Sequence, residues 1–362
     1  MTNRSLLLKY CSLVIFIASF VPIKTAYSTV INSGTTNTST LADSFVQFTG
    51  SGTLQVNSSY NLVGNITNNT FPVTNNVGTI SFSTTNTLTV GSSSVAGSIG
   101  ASDLQLNNIN FGQDGTLNVY GNVYANTITN STNNTGTLQL NGTSLQTINA
   151  LIGTNGNRLK NIQANNASAG TVFNQNFYTQ NFTATGVSSL GTATTIGNIS
   201  GNVTGQGKIQ ATGLGINSAT LIFDGTTAAQ TISSQIGANS NRINITTNNT
   251  STGVNFTALT GNYVNNLILT SGVANVNSSS FMDINGSISG SGVLQSSDQT
   301  GNLNISGTAA QTISSQLGAL ASQLSTITVS NSSVSGVTFN QNITAANMVT
   351  SSDLSTFFRT LN

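Results

Sequence analysis

Charge is nearly absent from this sequence: only 4% of its 362 residues are Asp, Glu, Lys or Arg, against about a quarter in ordinary globular proteins. It has no His, no Glu and no Trp, one cysteine (Cys11) and two prolines (Pro22 and Pro72). Each absence removes a class of chemistry. Without His, neither a Ser–His nor a Cys–His nucleophile pair can be assembled. Zinc loses its usual imidazole and thiolate ligands, leaving Asp as the only strong one. No basic run exists to hold phosphates, so nucleic acid and anionic lipid are not expected partners. The seven Asp are scattered along the chain, whereas glycoside chemistry needs two carboxyls held about 5–10 Å apart. Asp114 and Asp224 each precede a glycine, and Asp–Gly reads as a turn before it reads as a calcium ligand.

Asn, Thr and Ser supply the polarity that charge does not. The apolar share of 37%, together with 36 glycines, is ordinary for a chain that buries a core, and formal charge is only +1. Disorder driven by charge is therefore not expected. A solvated low-complexity chain is the alternative.

The N-terminus reads "MTNRSLLLKYCSLVIFIASFVPIKTAYS". Arg4 and Lys9 precede an apolar run from Cys11 to Ile23, and Ala26 and Ser28 form a small-x-small end. This is the pattern of a secretory signal peptide cut after Ser28, with an apolar run too short for a comfortable membrane span. An uncleaved anchor is the alternative. "LKYC" lacks the small residues that precede a lipidated cysteine. Cleavage removes Cys11, Arg4, Lys9 and Lys24, leaving five basic residues against seven Asp and a net charge of −2. A mature chain without cysteine tolerates an oxidising compartment but gains nothing from disulfides.

The strongest signal is repetition. "GTSLQTINALIG" (142–153), "GTTAAQTISSQIG" (225–237) and "GTAAQTISSQLG" (307–318) are preceded by "TLQLNG", "TLIFDG" and "NLNISG". They are followed by "IGTNGNRLKNI", "IGANSNRINI" and "LGALASQLSTI", then by "GTVFNQN", "GVNFTAL" and "GVTFNQN". Phe173, Phe256 and Phe339 are spaced by 83 and 83, and Gly142, Gly225 and Gly307 by 83 and 82. A fainter copy begins at "GTLQVN" (52–57). Such a period marks a repeat architecture.

Within each unit, Leu-x-Leu alternation broken by Asn–Gly, Asp–Gly and Gly–Thr predicts short strands joined by turns. "TLTV" (87–90), "LQLNNINF" (104–111), "LNVYGNVYANTI" (117–128) and "TITV" (326–329) extend the pattern. An 83-residue unit is too long for one solenoid coil; at about 20–25 residues per turn it makes three or four. The expected fold is all-β, a right-handed parallel β-helix built from a super-repeat. Coils stacked at about 4.8 Å align like residues, so Asn and Thr can form hydrogen-bonded ladders where like charges would repel. Two alternatives stand beside it: an array of small β-sandwich domains, and, for 308–324, a helix capped by Thr308 with Ala310, Ile313, Leu317, Leu320 and Leu324 on one face. The expected organisation is a signal peptide at 1–28, an N-terminal solenoid with a degenerate repeat at 29–135, and repeat one at 136–218. Repeat two occupies 219–300, a partial third 301–347, and a C-terminal tail 348–362.

A signal peptide followed by repeats of the form "LxIxGTAAQTIxxxIG…GVTFNxN" resembles the passenger regions of bacterial autotransporters, in particular the rickettsial surface-cell-antigen and outer-membrane-protein group. The resemblance covers about 136–347. It implies a surface-exposed β-helical stalk, an adhesin or coat, with a host-cell receptor or other surface proteins as partners. Such proteins end in a translocator barrel of strands about ten residues long, whereas only "ITAANMVTSSDLSTFFRTLN" follows the last "FNQN". The expected location is therefore secreted, cell surface or outer membrane, and periplasmic if no translocator is supplied. No catalytic residue, cofactor, metal or small-molecule substrate is expected, and no membrane span after signal cleavage. Two other readings compete: a remnant of a shortened gene, and a polysaccharide-active β-helix using Asp and Arg. Arg158 and Arg242 share a register, but Gln323 takes that place in the third copy, so a structural role on the solenoid face is expected for them.

Overall fold

A computed structural model describes residues 28–41, 44–70, 74–191, 194–212, 219–250 and 252–350. Apart from Ser28, the signal peptide expected at 1–28 lies outside the described residues, as do residues 351–362 of the tail expected at 348–362. The chain winds into a parallel β-solenoid of about 15 turns, each turn contributing one strand to each of three faces. Strands pair in parallel with the strand two or three places further along. Thr220–Phe223 pairs with Ile243–Thr247, Gln230–Ile232 with Val254–Phe256, and Asn302–Ile305 with Leu324–Val329. Among the described residues all strand pairing is parallel, which excludes the β-sandwich alternative for them, because sandwiches are built from antiparallel sheets.

The sequence makes these strands by period-two alternation, which sends every second residue inward. Thr53–Val56, Thr79–Phe82, Thr87–Val90 and Thr116–Val119 each alternate a half-buried residue with a fully buried one. In register, Leu88, Leu117, Leu138, Ile162, Phe182, Val203, Ile232, Phe256 and Val276 stack into one continuous buried column. Burial stabilises each such side chain by about 1.5–3 kcal/mol. On another face Phe82 stacks on Phe111 with ring centroids 4.7 Å apart.

Val123–Asn130, Phe177–Ala184 and Asn262–Leu269 each turn a corner without a loop. Two consecutive outward residues break the alternation: Asn126 and Thr127, Gln180 and Asn181, Asn265 and Asn266. The halves then serve different faces. Phe177–Thr179 pairs with Gly197–Ile199, while Phe182 and Thr183 pair with Val203 and Thr204.

With these strands counted as two, the second module passes through eleven strand positions from Thr220–Phe223 to Val293–Gln295 before its equivalent, Asn302–Ile305, begins. Eleven is not a multiple of three, so a module covers three and two-thirds turns, or about 22–23 residues per turn. Each module therefore starts one face back from the last. Thr220–Phe223 accordingly shares its column not with Asn302–Ile305 but with Ile243–Thr247, Leu267, Ile288–Ser289 and Gln311–Ile313. The equivalent phenylalanines Phe173, Phe256 and Phe339 point inward from three different faces.

The helix considered for 308–324 is not present; strands Gln311–Ile313 and Gln316–Leu317 occupy it. Its apolar stripe does not hold, since Leu320 is 95% exposed at a turn while Ile313, Leu317 and Leu324 face the core. Gly318 makes that turn at φ +71°, where a Cβ would lie 1.9 Å from the Thr344 carbonyl oxygen.

The outward positions carry the ladders that low charge permits. Asn165 donates to Asn141 Oδ1 at 2.9 Å and Asn141 to Asn118 Oδ1 at 2.6 Å, a file of amides over three turns. Gln295, Asn275 and Asn255 form another, at 3.1 and 2.8 Å.

Candidate functional site

Two recurring devices sit at the corners, the first in all three modules and the second in two. The first is the glutamine of "QTI". Gln146, Gln230 and Gln311 occupy inward slots and are at most 2% exposed. Gln230 Oε1 accepts the Gly225 N–H at 2.8 Å, and its Nε2 donates to the carbonyls of Ile199 and Gly201 on the preceding turn at 2.9 and 2.8 Å. Gln146 does the same with Gly142, Val119 and Gly121, and Gln311 with Gly307, Ile284 and Gly286. One amide thus satisfies two backbone groups that a bend withdraws from the sheet, a glycine N–H and a glycine carbonyl, where unpaired burial costs about 1–3 kcal/mol each, and adds a second donor to the Ile199, Val119 and Ile284 carbonyls, which also accept the N–H groups of Asp224, Asn141 and Ser306. Only glycine fits beside it: a Cβ on Gly142 would lie 2.6 Å from the Gln146 side chain. On the following turn a buried asparagine extends the staple, Asn166 donating to the carbonyls of Ser144 and Gly170, Asn249 to Ala228 and Asn331 to Ala309. The sequence reading did not assign this role; its trace was a polar residue recurring in an apolar slot, four or five places after a glycine.

The second device is an arginine. Arg158 and Arg242 immediately precede the equivalent strands Leu159–Ala164 and Ile243–Thr247, and both are buried, with side chains 7% and 6% exposed. The expectation that they lie structurally on the solenoid face is refined: their stems and heads are sunk beneath it. Arg158 donates to Asn198 Oδ1 at 2.5 Å and to Asp224 Oδ2 at 2.8 Å, and also to Asn155 Oδ1. Arg242 donates to Asp283 Oδ1 and to the Asp283 and Val264 carbonyls, reaches Asn239 Oδ1 at 3.0 Å, and lies 5.6 Å over the Tyr263 ring. In both modules the charge is desolvated only because a carboxylate and several oxygens surround it.

At the Arg158 corner a polar cleft of about 500 Å³ opens, lined among others by Asn155, Arg158, Gln180, Asp224, Thr226 and Asn248. It offers hydrogen-bonding groups and one neutralised carboxylate. Of the other described Asp residues, Asp114 and Asp298 serve local structure. Asp114 pairs with Lys160 at 2.5 Å and accepts the Gly136 N–H, and Asp103 lies exposed on a bend. Asp298 accepts the amides of Ser278 and Thr300 and the hydroxyls of Ser296 and Thr300. Burial works to raise its pKa, but these four donors outweigh it and hold the carboxyl at about 2. Among the described residues no three of His, Cys, Asp and Glu cluster as a metal would require, and no helix is long and apolar enough to cross a membrane. No protein-family model, curated protein or solved structure matches the chain.

Proposed function

We propose that the chain is the stalk of an exported bacterial surface protein, a passenger-like scaffold or adhesin that extends from the cell and carries out no reaction. One observation carries this reading. What the three modules repeat is the hardware of the rod: the Gln146, Gln230 and Gln311 staples and the glycines they require. The exposed corner turns differ, with "TNGN" at 154–157, "ANSN" at 238–241 and "ALAS" at 319–322. Repetition that preserves backbone satisfaction and lets the surface drift lengthens a solenoid; it does not duplicate a reaction centre. The one-face rotation adds a consequence, because equivalent corners of the three modules face three directions and no single side carries all of them. The reading also draws on the signal-like N-terminus and on the resemblance to autotransporter passengers.

Its test is protease shaving of intact cells of the producing bacterium followed by mass spectrometry. Release of peptides from 29–350 before lysis supports the stalk, and recovery only from lysed cells overturns it.

A further inference from the structure

Asn–Gly pairs occur three times, at Asn141–Gly142, Asn155–Gly156 and Asn285–Gly286, and the fold treats them differently. Glycine leaves its backbone nitrogen unscreened by a Cβ and free in conformation, so that nitrogen can attack the preceding side-chain amide. At two pairs this nitrogen is engaged. Gly142 N–H donates to Gln146 Oε1 at 2.8 Å, and the Asn141 amide is locked in its ladder with Asn118 and Asn165. Gly286 N–H donates to the Asn265 carbonyl at 2.7 Å.

The third pair lies on an exposed turn, 154–157, between two strands. A Cβ on Gly156 would meet nothing within 4 Å. The turn is pinned by Thr154 N–H on the Asn157 carbonyl at 2.9 Å and Asn157 N–H on Thr154 Oγ1 at 3.1 Å. Asn155 Oδ1 receives an N–H of the Arg158 guanidinium, whose Nε–H donates to the Asn155 carbonyl at 3.2 Å. A fixed cation donating to an amide oxygen polarises its carbon and stabilises the negative charge that develops there on addition.

We infer that Asn155 is a site of spontaneous succinimide formation, promoted by Arg158. The Gly156 nitrogen loses its proton to water and forms a bond to Asn155 Cγ. The tetrahedral oxygen, held by Arg158, collapses; the C–N bond of the side-chain amide breaks and the nitrogen leaves as ammonia, taking its proton from solvent. Water then opens the imide at either carbonyl, giving aspartate or isoaspartate at 155. The sum is one water consumed and one ammonia released, with no oxidant or cofactor. The product sets a second carboxylate beside the guanidinium that already serves Asp224. The second module holds the natural control: Asn239 Oδ1 accepts from Arg242 at 3.0 Å, but Ser240 stands where Gly156 does.

Incubation of the full mature chain at mildly alkaline pH, followed by peptide mapping and enzymatic isoaspartate labelling, tests this. Asn155 is expected to convert at least several-fold faster than Asn141, Asn285 and Asn239. Gly156→Ala, which has open space, abolishes conversion, and Ser240→Gly brings Asn239 to a rate near that of Asn155. Arg158→Gln slows conversion at Asn155 several-fold while Asn141 and Asn285 stay protected. Equal rates at the three Asn–Gly pairs, or an inert Asn239 in the Ser240→Gly chain, would overturn the inference. An unchanged Asn155 rate in Arg158→Gln would remove Arg158 from it.

Discussion

Arg242 lies 2.9 Å from Asp283, a residue two turns further along the solenoid, whereas its counterpart Arg158 finds its carboxylate, Asp224, three turns away. The two modules have exchanged positions. Asn198 stands where the second module has Asp283, and Asp224 where it has Ser306. In each case the neutral member donates to the acidic one, Asn198 to Asp224 at 3.1 Å and Ser306 to Asp283. One carboxylate per arginine is kept, and its rung is free to move.

That exchange can be repeated by mutation. Asp283→Asn gives the second module the residue the first carries and leaves Arg242 buried among carbonyls and amides alone. Removing one member of a buried pair costs about 3 kcal/mol. Adding Ser306→Asp restores a carboxylate at the position of Asp224, and most of the loss should return. Denaturant midpoints and amide exchange over Asn262–Leu269 in the single and double variants read the difference; a double variant no more stable than Asp283→Asn would sink the equivalence.

The staple makes a sharper claim about hydrogen bonding. Gln230→Leu keeps the volume but strands the Gly225 N–H and the Gly201 carbonyl, and takes from the Ile199 carbonyl one of its two donors, leaving it the Asp224 N–H. A loss of about 3 kcal/mol is expected, since buried unpaired groups cost about 1–3 kcal/mol each. Gly225, Ile199 and their neighbours should exchange faster while the first module keeps its protection, because solenoid turns contact only their neighbours. A neutral or stabilising leucine would show that the amide fills space and no more.

These devices explain what could and could not be read from the sequence. Leu-x-Leu alternation and the 83-residue spacing of Phe173, Phe256 and Phe339 announce parallel stacking, because both survive in one dimension. The one-face rotation does not, because it depends on counting strands, and Phe177–Ala184 reads as one strand while forming two. Its inward residues Phe177, Thr179, Phe182 and Ala184 have a three-residue step in their middle, and that step is the corner. The arginine pairs were illegible for a different reason: Arg158 and Asp224 are 66 residues apart, and each module places its acid on a different rung.

Acid should loosen one particular turn. The Asp298 carboxyl is held at about 2 in the fold, below the usual value of about 3.9 in an unfolded chain. A depressed folded-state pKa contributes stability that is fully present above the unfolded value and lost as pH falls through the folded one. The contribution of Asp298 is therefore intact above about pH 4 and gone near pH 2. The turn it braces includes Ser278 and Ser279 at φ +58° and +57°, a conformation unfavourable for residues with a Cβ. Thermal melts of wild type and Asp298→Asn should differ above pH 4 and converge near pH 2, tracking a carboxyl titration followed by NMR. A difference that persists undiminished at the acid end contradicts the assignment.

The rotation of the modules leads to the most demanding prediction. Excising 219–300 joins the first module to the third across the same kind of junction that joins the first to the second. Gln311 would then meet the carbonyls of Ile199 and Gly201, as Gln230 now does, although everything beyond the junction turns by one face. Excising instead the nine strand positions from Thr220–Phe223 to Phe281–Ile284 removes three whole turns and keeps every face in line, but it sets Ile288–Ser289 beside Ile196–Ile199 without the staple. If satisfaction of the corners governs folding, the first deletion keeps a cooperative melt and shortens the rod by about 18 Å, at about 4.8 Å per turn, as read by small-angle scattering. The second, though it leaves the azimuth undisturbed, melts lower. The reverse order would mean that continuity of the faces, and not the repeated glutamine, holds successive modules together.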